Sequence, residues 1–365
     1  MFLTSKDIFA IQHLIFERQH PLYVSEYQAL ITKANKILSS EPPSIAGNES
    51  PNGKNYFFTE SPYCGWFTFW GLYGHSCRDG QVNPKANRED YIQLRRMGVE
   101  SVVLSLAYRL SGKPAYKLKL FQFLESWIVN PESRMAPQYT TQQSHIEISA
   151  SNIALFYGLS LIAAELQKNP PLNQAAQDWL QGWANSIDSW RSDNNFEDWR
   201  LLCRLAIFSL LDDQQQFTTT ITAVKARLTQ AISEEGRLVH ELSRTKSLSY
   251  SLYALKAMLL SAEIAYHHGV DLYHVKDERG VGLETALLHH ASFLLHNKKT
   301  WPFKQISELK KQEVALYELA HTRYKNEAFA QVIIEWERPF QEIRALQYIS
   351  LTHSAVEEKG HKMPE

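Results

Sequence analysis

The chain has little glycine and proline and lacks long apolar runs. Its 365 residues include 15 glycines and 14 prolines, clearly below the usual share of these two residues. This scarcity argues against collagen-like, low-complexity and loop-dominated all-β structures. No apolar run approaches the ~18 residues that a membrane span needs. We therefore expect a helix-rich globular protein with no membrane partner.

Cysteine is also scarce, and no secretory signal is visible. The three cysteines, Cys64, Cys77 and Cys203, are odd in number and lack CxxC spacing, which argues against a disulfide framework or a zinc cluster. Residues 1–18 have the pattern of an amphipathic helix, and no small-residue cleavage site follows them. The default expectation is a cytoplasmic protein, or a periplasmic one if the true start lies upstream.

Neither sign of charge is in excess. The chain has 38 lysines and arginines against 39 aspartates and glutamates, so no overall field attracts nucleic acid, and an anionic ligand needs a local basic patch. The nucleophile elbow of serine hydrolases, the glycine motif of dinucleotide-binding proteins, the P-loop and the HExxH zinc motif are absent from the sequence. These absences argue against the corresponding chemistries.

Helical periodicity with short turns runs through most of the chain. Apolar residues from Val99 to Leu110 recur at helical spacing, Gly112 and Pro114 end that helix, and a second helix follows to residue 128. Further helical segments follow the same pattern. They span residues 26–39, 153–166, 179–190, 199–211, 217–232, 248–267, 283–295, 309–319 and 328–351. No strand alternation is evident.

Consecutive helical hairpins of this kind stack either as a solenoid or as a closed ring. No repeat of fixed length is visible, which favours the ring. We therefore expect an all-α fold, an α/α toroid, with residues 1–365 in one domain.

Residues 41–87 break the helical pattern. This stretch is rich in proline, glycine, asparagine and aromatic residues, among them Trp66. A long loop inside a compact domain is often a lid or a binding loop. Its rings form either an aromatic core over one end of the domain or a surface on which a ligand stacks. We expect the loop to cover a groove, with Trp66 as a candidate substrate contact.

Several strings of residues, spread over about two thirds of the chain, form an ordered set. The strings are Arg78-Asp79-Gly80 with Val82-Asn83-Pro84, Leu106-Ala107-Tyr108 with Ser111-Gly112-Lys113-Pro114-Ala115-Tyr116, Trp127 with Asn130-Pro131, Asn194-Asn195-Phe196 with Trp199, Glu241-Leu242-Ser243-Arg244-Thr245 with Ser249-Tyr250-Ser251, and Trp301-Pro302-Phe303. Taken in this order, they resemble the alginate lyase superfamily of polysaccharide lyases, which includes alginate and glucuronan lyases.

The resemblance implies an α/α toroid that cleaves an acidic polysaccharide or oligosaccharide of mannuronate or glucuronate type by β-elimination, with no cofactor or metal. The enzyme must neutralise the uronate carboxylate, remove the proton on carbon 5 and protonate the oxygen on carbon 4. Carried over by position, Asn195 binds the carboxylate, Arg244 neutralises its charge and Tyr250 transfers the proton. Asn194 supports the turn. The positive charge of Arg244 is expected to favour ionisation of Tyr250.

Other assignments remain open at this point. Some relatives space the tyrosine differently, which gives the arginine and tyrosine roles to Lys246 and Tyr253. Trp199 is a further candidate substrate contact because it belongs to the Asn-Asn string. That string is also typical of a plain helix N-cap. Arg244 and Tyr250 are six residues apart, so they converge only if Arg244 lies at or before the start of a helix.

Phe196 stands where the family typically has a histidine after Asn-Asn. Phenylalanine neither accepts nor donates a proton. Either Tyr250 performs all proton transfer, or another histidine such as His145 or His240 reaches the groove, or activity is lost. In the last case the protein is an inactive lyase-like protein that binds an acidic sugar or has a structural role.

Overall fold

The computed structural model describes residues 1–48, 50–70, 72–295, 300–341 and 344–355. Within these residues the chain forms helices and one two-stranded antiparallel sheet. The helices are α1 Ser5–Gln12, α2 Pro21–Ile37, α3 Glu89–Ser111, α4 Pro114–Leu124, α5 Gln142–Leu161, α6 Ala163–Gln167, α7 Pro170–Ser186, α8 Asn195–Leu211, α9 Gln214–Gln230, α10 Ser247–His267, α11 Leu283–Ala291, α12 Lys311–Val314, α13 Leu316–Tyr324, α14 Glu327–Trp336 and α15 Ile349–Thr352. Short π-helical segments, His13–Glu17 and Glu125–Val129, follow α1 and α4. The strands are β1 Cys64–Phe69 and β2 Leu72–Cys77.

The helices form a ring of hairpins, an α/α toroid. Helices α3, α5, α8 and α10 pack side by side in chain order, while α4, α7 and α9 pack against them. The ring continues from α10 through α13 to α15, which contacts α1 and α2. Hydrogen bonds near the two ends of the chain join Tyr23 Oη to Ser354 and His353 Nε2 to the carbonyl of Phe2. The first and last helices therefore close the ring.

Local signals set the limits of the first long hairpin as predicted. Gly112 ends α3 with φ at +71°, a left-handed conformation that suits glycine. Its amide donates to the carbonyl of Tyr108 at 2.8 Å. Pro114 is the first residue of α4, where its missing amide hydrogen costs no helical hydrogen bond.

Helix α5 begins earlier than its apolar periodicity predicts. The periodicity indicates a start near Ile153, but Thr141 caps a helix that begins at Gln142. Its side chain accepts from the amide of Ser144 at 3.0 Å, and Ser144 Oγ accepts from the amide of Thr141 at 2.8 Å. Nearly every residue of α5 is buried, including polar ones such as Asn152, so one apolar face does not stand out. No helix in the described ranges is both long and apolar enough to cross a membrane.

The prediction of a single helix over residues 328–351 is wrong. Helix α14 ends at Trp336, Glu337 has φ at +57°, and the next helix is the short α15. Pro339 follows closely and lacks the amide hydrogen that a continuing helix needs.

The sequence shows no strand alternation and argues against a disulfide framework, yet the structure contains one β-hairpin and one disulfide bond. Strands β1 and β2 pair in register from Cys64 opposite Cys77 to Phe69 opposite Leu72. This pairing places the two cysteines at the base of the hairpin, where they form a disulfide bond. Cys203 is buried as a free thiol. The spacing of 13 residues between the bonded cysteines has no motif signature, and only the hairpin brings them together.

Candidate active site

A cavity of about 610 Å³ opens at one end of the ring. Its wall includes residues at or near the amino-terminal ends of α3, α5, α8 and α10, among them Tyr91, Gln143, Asn195 and Tyr250. Helix amino termini carry partial positive charge and bind anions. Four such ends therefore favour an anionic ligand in this cavity.

Basic side chains outnumber acidic ones among the described residues that line the cavity. The acidic residues are Glu147, Glu308 and Glu313. The basic residues are Arg88, Arg95, Arg244, Lys246, Lys256, Lys310 and Arg344. Although the chain as a whole carries a formal charge of only −1, this cavity is a local basic patch of the kind that a polyanion needs.

The segment 41–87 contributes part of the cavity wall. Pro62, Tyr63 and Val82 from this segment line the cavity, and the amide of Arg78 donates to the carbonyl of Tyr63 at 2.8 Å. The aromatic side chains of the segment differ widely in burial. Phe57 is fully buried in the core, whereas Trp70 is 99% exposed.

Arg244 lies three residues before the start of α10, which is the placement that its spacing from Tyr250 requires. Its Nη2 and Nε bind Asp79 Oδ1 and Oδ2 at 2.7 and 3.2 Å, a two-point ion pair. Thr245 adds its amide and hydroxyl to the same carboxylate, at 2.9 Å each. Burial alone would raise the pKa of Asp79, but the hydrogen bonds and charge of Arg244 and the hydrogen bonds of Thr245 lower it to about 2.

Tyr250 lies in the first turn of α10, against the guanidinium of Arg244. The Arg244 Cζ atom is 4.0 Å from the centre of the Tyr250 ring. The Tyr250 hydroxyl donates to Tyr63 Oη at 2.9 Å and lies 3.3 Å from Asp79 Oδ1. Burial, followed by the hydrogen bond to Tyr63 and the charge of Asp79, raises the pKa of Tyr250, and Arg244 lowers it by less. The expectation that the charge of Arg244 lowers the pKa of Tyr250 overall is therefore wrong.

Asn194 and Asn195 have different partners. Asn194 is the N-cap of α8, and its Oδ1 accepts from the amide of Phe196 at 3.0 Å. Asn195 is the first residue of the helix, and its side chain binds buried Glu241. Asn195 Nδ2 is 3.0 Å from each oxygen of that carboxylate, and the Asn195 amide donates to Glu241 Oε1 at 2.7 Å. The N-cap interpretation thus holds for Asn194, while Asn195 lines the cavity.

Comparison with known proteins assigns the family. A family model described as alginate lyase matches residues 50–301, more than half of the chain. The chain belongs to the alginate lyase family. Among curated proteins, none matches it in sequence.

Solved structures of alginate lyases share the fold of this alginate lyase family member. An alginate lyase from Bacteroides ovatus has a TM-score of 0.84 at 22% identity, over 97% of this chain and 98% of that one. Alginate lyase A1-III from Sphingomonas species A1 has a TM-score of 0.66 at 20% identity, over 91% of this chain and 94% of that one. A histidine-to-alanine variant of A1-III, complexed with a tetrasaccharide, has a TM-score of 0.63 at 21% identity, over 77% and 84% of the two chains.

Three other predicted residues of this family member also line the cavity or lie close to it. Lys246 and Tyr253 belong to its wall, and the Tyr253 ring packs against Trp199 at 4.7 Å between ring centres. Trp199 itself is fully buried, so the prediction that it contacts substrate is wrong. The Trp199 ring instead packs against Tyr253, which belongs to the cavity wall.

The two alternative histidines do not line the cavity. His145 is 2% exposed, its ring stacks on Tyr139 at 4.2 Å, and its Nε2 lies 3.1 Å from the carbonyl of Ile187. His240 is exposed in the turn before α10, outside the cavity wall. Phe196, which the sequence resemblance aligns with a histidine of the family, does line the cavity.

Trp66 lies outside the main cavity. It is 60% exposed on β1 and lines a second groove of about 490 Å³ together with His75 and Lys85. Trp66 therefore does not belong to the main cavity wall, and its role as a substrate contact stays a prediction.

Sequence reasoning missed three residues of the site: Asp79, Tyr63 and Glu241. Asp79 and Glu241 lie in strings that carry the family resemblance, but their side chains have no individual signature there. A glutamate three residues before Arg244 was the available signal for Glu241, whose carboxylate lies 3.6 Å from Arg244 Nη1. The described residues contain no group of three or more histidine, cysteine, aspartate or glutamate side chains that could hold a metal ion.

Proposed function

We propose that this protein is a polysaccharide lyase that cleaves mannuronate-type linkages of alginate by β-elimination. The observation that carries the proposal is the convergence of Asn195, Arg244 and Tyr250 on one basic cavity at the end of the toroid. These are an amide, a cation and a phenol. They are the groups that carboxylate neutralisation and proton transfer need. The tetrasaccharide complex of the related A1-III variant supports an oligosaccharide as the ligand, and the basic cavity wall favours an acidic one.

In this reaction the uronate carboxylate binds Arg244 and Asn195, which stabilise the negative charge that develops when carbon 5 loses its proton. Tyr250 takes that proton as phenolate, and the phenol so formed then protonates the oxygen that leaves carbon 4. The products are a shortened chain and an unsaturated uronate. One residue serves as base and acid in turn, which requires the carbon 5 proton and the carbon 4 oxygen to lie on the same face of the sugar.

Tyr250 must first become phenolate. In the free protein its hydroxyl is close to the negative charge of Asp79, which opposes ionisation. Transfer of the Arg244 hydrogen bonds from Asp79 to the substrate carboxylate would raise the pKa of Asp79, because that carboxylate loses the cation that now holds it at about 2. Asp79 would then be a better acceptor for the Tyr250 proton. The Arg244–Asp79 pair thus links carboxylate binding to activation of the base.

The second candidate is acidic-sugar binding without cleavage. Two features support it. Phe196, which the sequence resemblance aligns with a histidine of the family, lines the cavity, and burial and the hydrogen bond to Tyr63 raise the pKa of Tyr250. Both candidates predict oligosaccharide binding. Only the lyase produces unsaturated uronate.

The test is incubation with polymannuronate, polyguluronate and glucuronan while the ultraviolet absorbance of unsaturated uronate is followed. The proposal predicts an absorbance increase with polymannuronate that falls by ~10²–10⁴-fold in Tyr250→Phe, because positioned acid–base groups contribute that much. Tyr266→Phe, at a half-exposed site outside the cavity, is the matched control and should keep the wild-type rate. Binding without any absorbance increase would favour the second candidate.

The disulfide between Cys64 and Cys77 bears on the compartment. Disulfides persist in oxidising environments and are rare in the cytosol. The bond therefore supports a periplasmic or extracellular location over the cytoplasmic default.

A further inference from the structure

Glu241 is a buried carboxylate directly behind the amide of Asn195. Its side chain is 1% exposed and does not line the cavity. Both of its oxygens lie 3.0 Å from Asn195 Nδ2, so the amide nitrogen faces Glu241. A substrate carboxylate approaching from the cavity would need the same nitrogen, since ionised carboxylates only accept hydrogen bonds.

The ionised form of Glu241 therefore conflicts with the role proposed for Asn195. An ionised Glu241 holds the Asn195 nitrogen turned toward itself, and its negative charge would repel a substrate carboxylate on the other N–H of that nitrogen. A protonated Glu241 removes both problems. Its O–H donates to Asn195 Oδ1 once the amide turns over, and the nitrogen then faces the cavity. The backbone amide of Asn195, 2.7 Å from Glu241 Oε1, keeps its acceptor in either state.

The charges around Glu241 come from three elements. Arg244 Nη1, in the turn before α10, lies 3.6 Å from Glu241 Oε2. The negative charge of buried Asp198 in α8 disfavours ionisation of Glu241. Asp198 Oδ1 is itself bound by Arg227 Nε of α9 at 2.7 Å. Burial, with a smaller contribution from Asp198, raises the pKa of Glu241 to about 7, and Asn195 and Arg244 limit the rise. Proton uptake by Glu241 is thus accessible near neutral pH.

We propose that Glu241 is a positioning residue that takes up a proton when an acidic sugar binds, and that the neutral carboxyl group turns the Asn195 amide toward the sugar carboxylate. The proton comes from solvent on binding and returns to solvent when product leaves. This inference rests on the proposed function, because it concerns the same site and the same class of ligand.

The proposal sets a pH dependence. When only one protonation state binds, apparent affinity falls in proportion to the fraction of protein in that state. With a pKa of about 7 for Glu241, the protonated fraction falls about tenfold between pH 6 and pH 8. A glutamine at this position donates through Nε2 at every pH, so Glu241→Gln removes the dependence. A residue that only holds the fold would change activity by the same factor at both pH values.

The first experiment measures kcat/KM on polymannuronate at pH 6 and pH 8 for the wild type, Glu241→Gln and the control Glu235→Gln, an exposed site in the neighbouring turn. We expect the ratio of wild-type to Glu241→Gln kcat/KM to fall about tenfold from pH 6 to pH 8, since the protonated fraction falls by that factor. The ratio of wild type to Glu235→Gln should stay constant. A constant ratio for Glu241→Gln, in an enzyme that cleaves polymannuronate, overturns the proposal and leaves the proposed function intact.

A second experiment does not need turnover. Calorimetric binding of a mannuronate tetrasaccharide to Tyr250→Phe at pH 8, in two buffers of different ionisation enthalpy, counts the protons taken up. We expect nearly one proton per bound ligand, and none when Glu241→Gln is added. Because this experiment measures proton uptake on binding, it stays informative even if Glu241→Gln lowers catalysis for another reason. Binding of the tetrasaccharide to Tyr250→Phe without proton uptake contradicts the Glu241 mechanism alone. If Tyr250→Phe does not bind the tetrasaccharide and the wild type does not cleave polymannuronate, the proposed function is contradicted as well.

Discussion

Asp79 and Arg244 form a two-point ion pair although they are 165 positions apart in the chain. The pair connects Asp79, in the segment 41–87, to the turn that precedes α10. It also holds Arg244 against the Tyr250 ring. The Asp79 carboxylate therefore positions the Arg244 guanidinium, opposes ionisation of the Tyr250 phenol and connects the segment 41–87 to the turn before α10.

Substitution of Asp79 by asparagine tests this relationship. Asparagine keeps the shape but loses the charge, so Arg244 and Thr245 lose charge-assisted hydrogen bonds worth ~1.5–3 kcal/mol each. Asparagine still accepts a hydrogen bond from Tyr250 but cannot take up its proton, so kcat should fall by ~10²–10⁴-fold, the usual contribution of a positioned proton-transfer group. Steady-state kinetics on polymannuronate measure the effect. A kcat equal to that of the wild type would remove Asp79 from the mechanism.

The disulfide between Cys64 and Cys77 holds two active-site contacts in place. Tyr63 directly precedes Cys64, and Asp79 lies two residues after Cys77. Reduction should therefore lower activity severalfold while helical circular dichroism persists, because the ring of helices does not depend on this bond. A double variant, Cys64→Ser with Cys77→Ser, should have the activity of the reduced protein and no further response to reductant. Full activity in that variant would contradict the positioning role.

The sequence predicted those parts of the structure that local patterns control. Helix ends such as Gly112 and Pro114 follow from backbone geometry, and the six-residue spacing of Arg244 and Tyr250 correctly requires that Arg244 lie before the helix. The apolar spacing of the two helices on either side of Gly112 and Pro114 indicated stacked helical hairpins. The ordered strings indicated the family, which the match over residues 50–301 shows.

Contacts between distant segments could not be predicted in this way. The disulfide forms because β1 and β2 pair, and the Asp79–Arg244 pair joins residues 165 positions apart, so no local pattern encodes either contact. His145 was misjudged for a related reason. Helix α5 is buried on nearly all sides, so its sequence does not distinguish a side chain that faces the cavity from one that packs in the core.

Glu241 makes the stability of the fold depend on pH. Burial raises the pKa of this carboxyl group to about 7 from an ordinary value of 4.5, so the folded protein binds the proton more tightly than the unfolded chain. The stabilisation is fully present below about pH 4.5 and is lost as the pH rises through 7. Denaturant unfolding at pH 5 and pH 8 should show a smaller decrease in the free energy of unfolding for Glu241→Gln than for the wild type. An equal decrease in the two proteins would show that Glu241 is already ionised at pH 5.

Phe196 should restrict the range of linkages that the enzyme cleaves. Mannuronate and glucuronate have the carbon 5 proton and the carbon 4 oxygen on the same face, so Tyr250 alone can serve both. Guluronate has them on opposite faces and needs a second proton-transferring group. Phe196 cannot be that group, and neither His145 nor His240 lines the cavity.

We therefore expect cleavage of polymannuronate with little or no cleavage of polyguluronate. Phe196→His places an imidazole on the cavity wall beside Asn195 and should increase the rate on polyguluronate relative to polymannuronate. Phe217→His, at a buried site of α9 outside the cavity, tests whether any added histidine has this effect, and it should not. The decisive measurement is the ratio of initial rates on the two polymers. Equal rates in the wild type would mean that a second group already transfers protons, and the mechanism with Tyr250 as the single acid and base would be wrong.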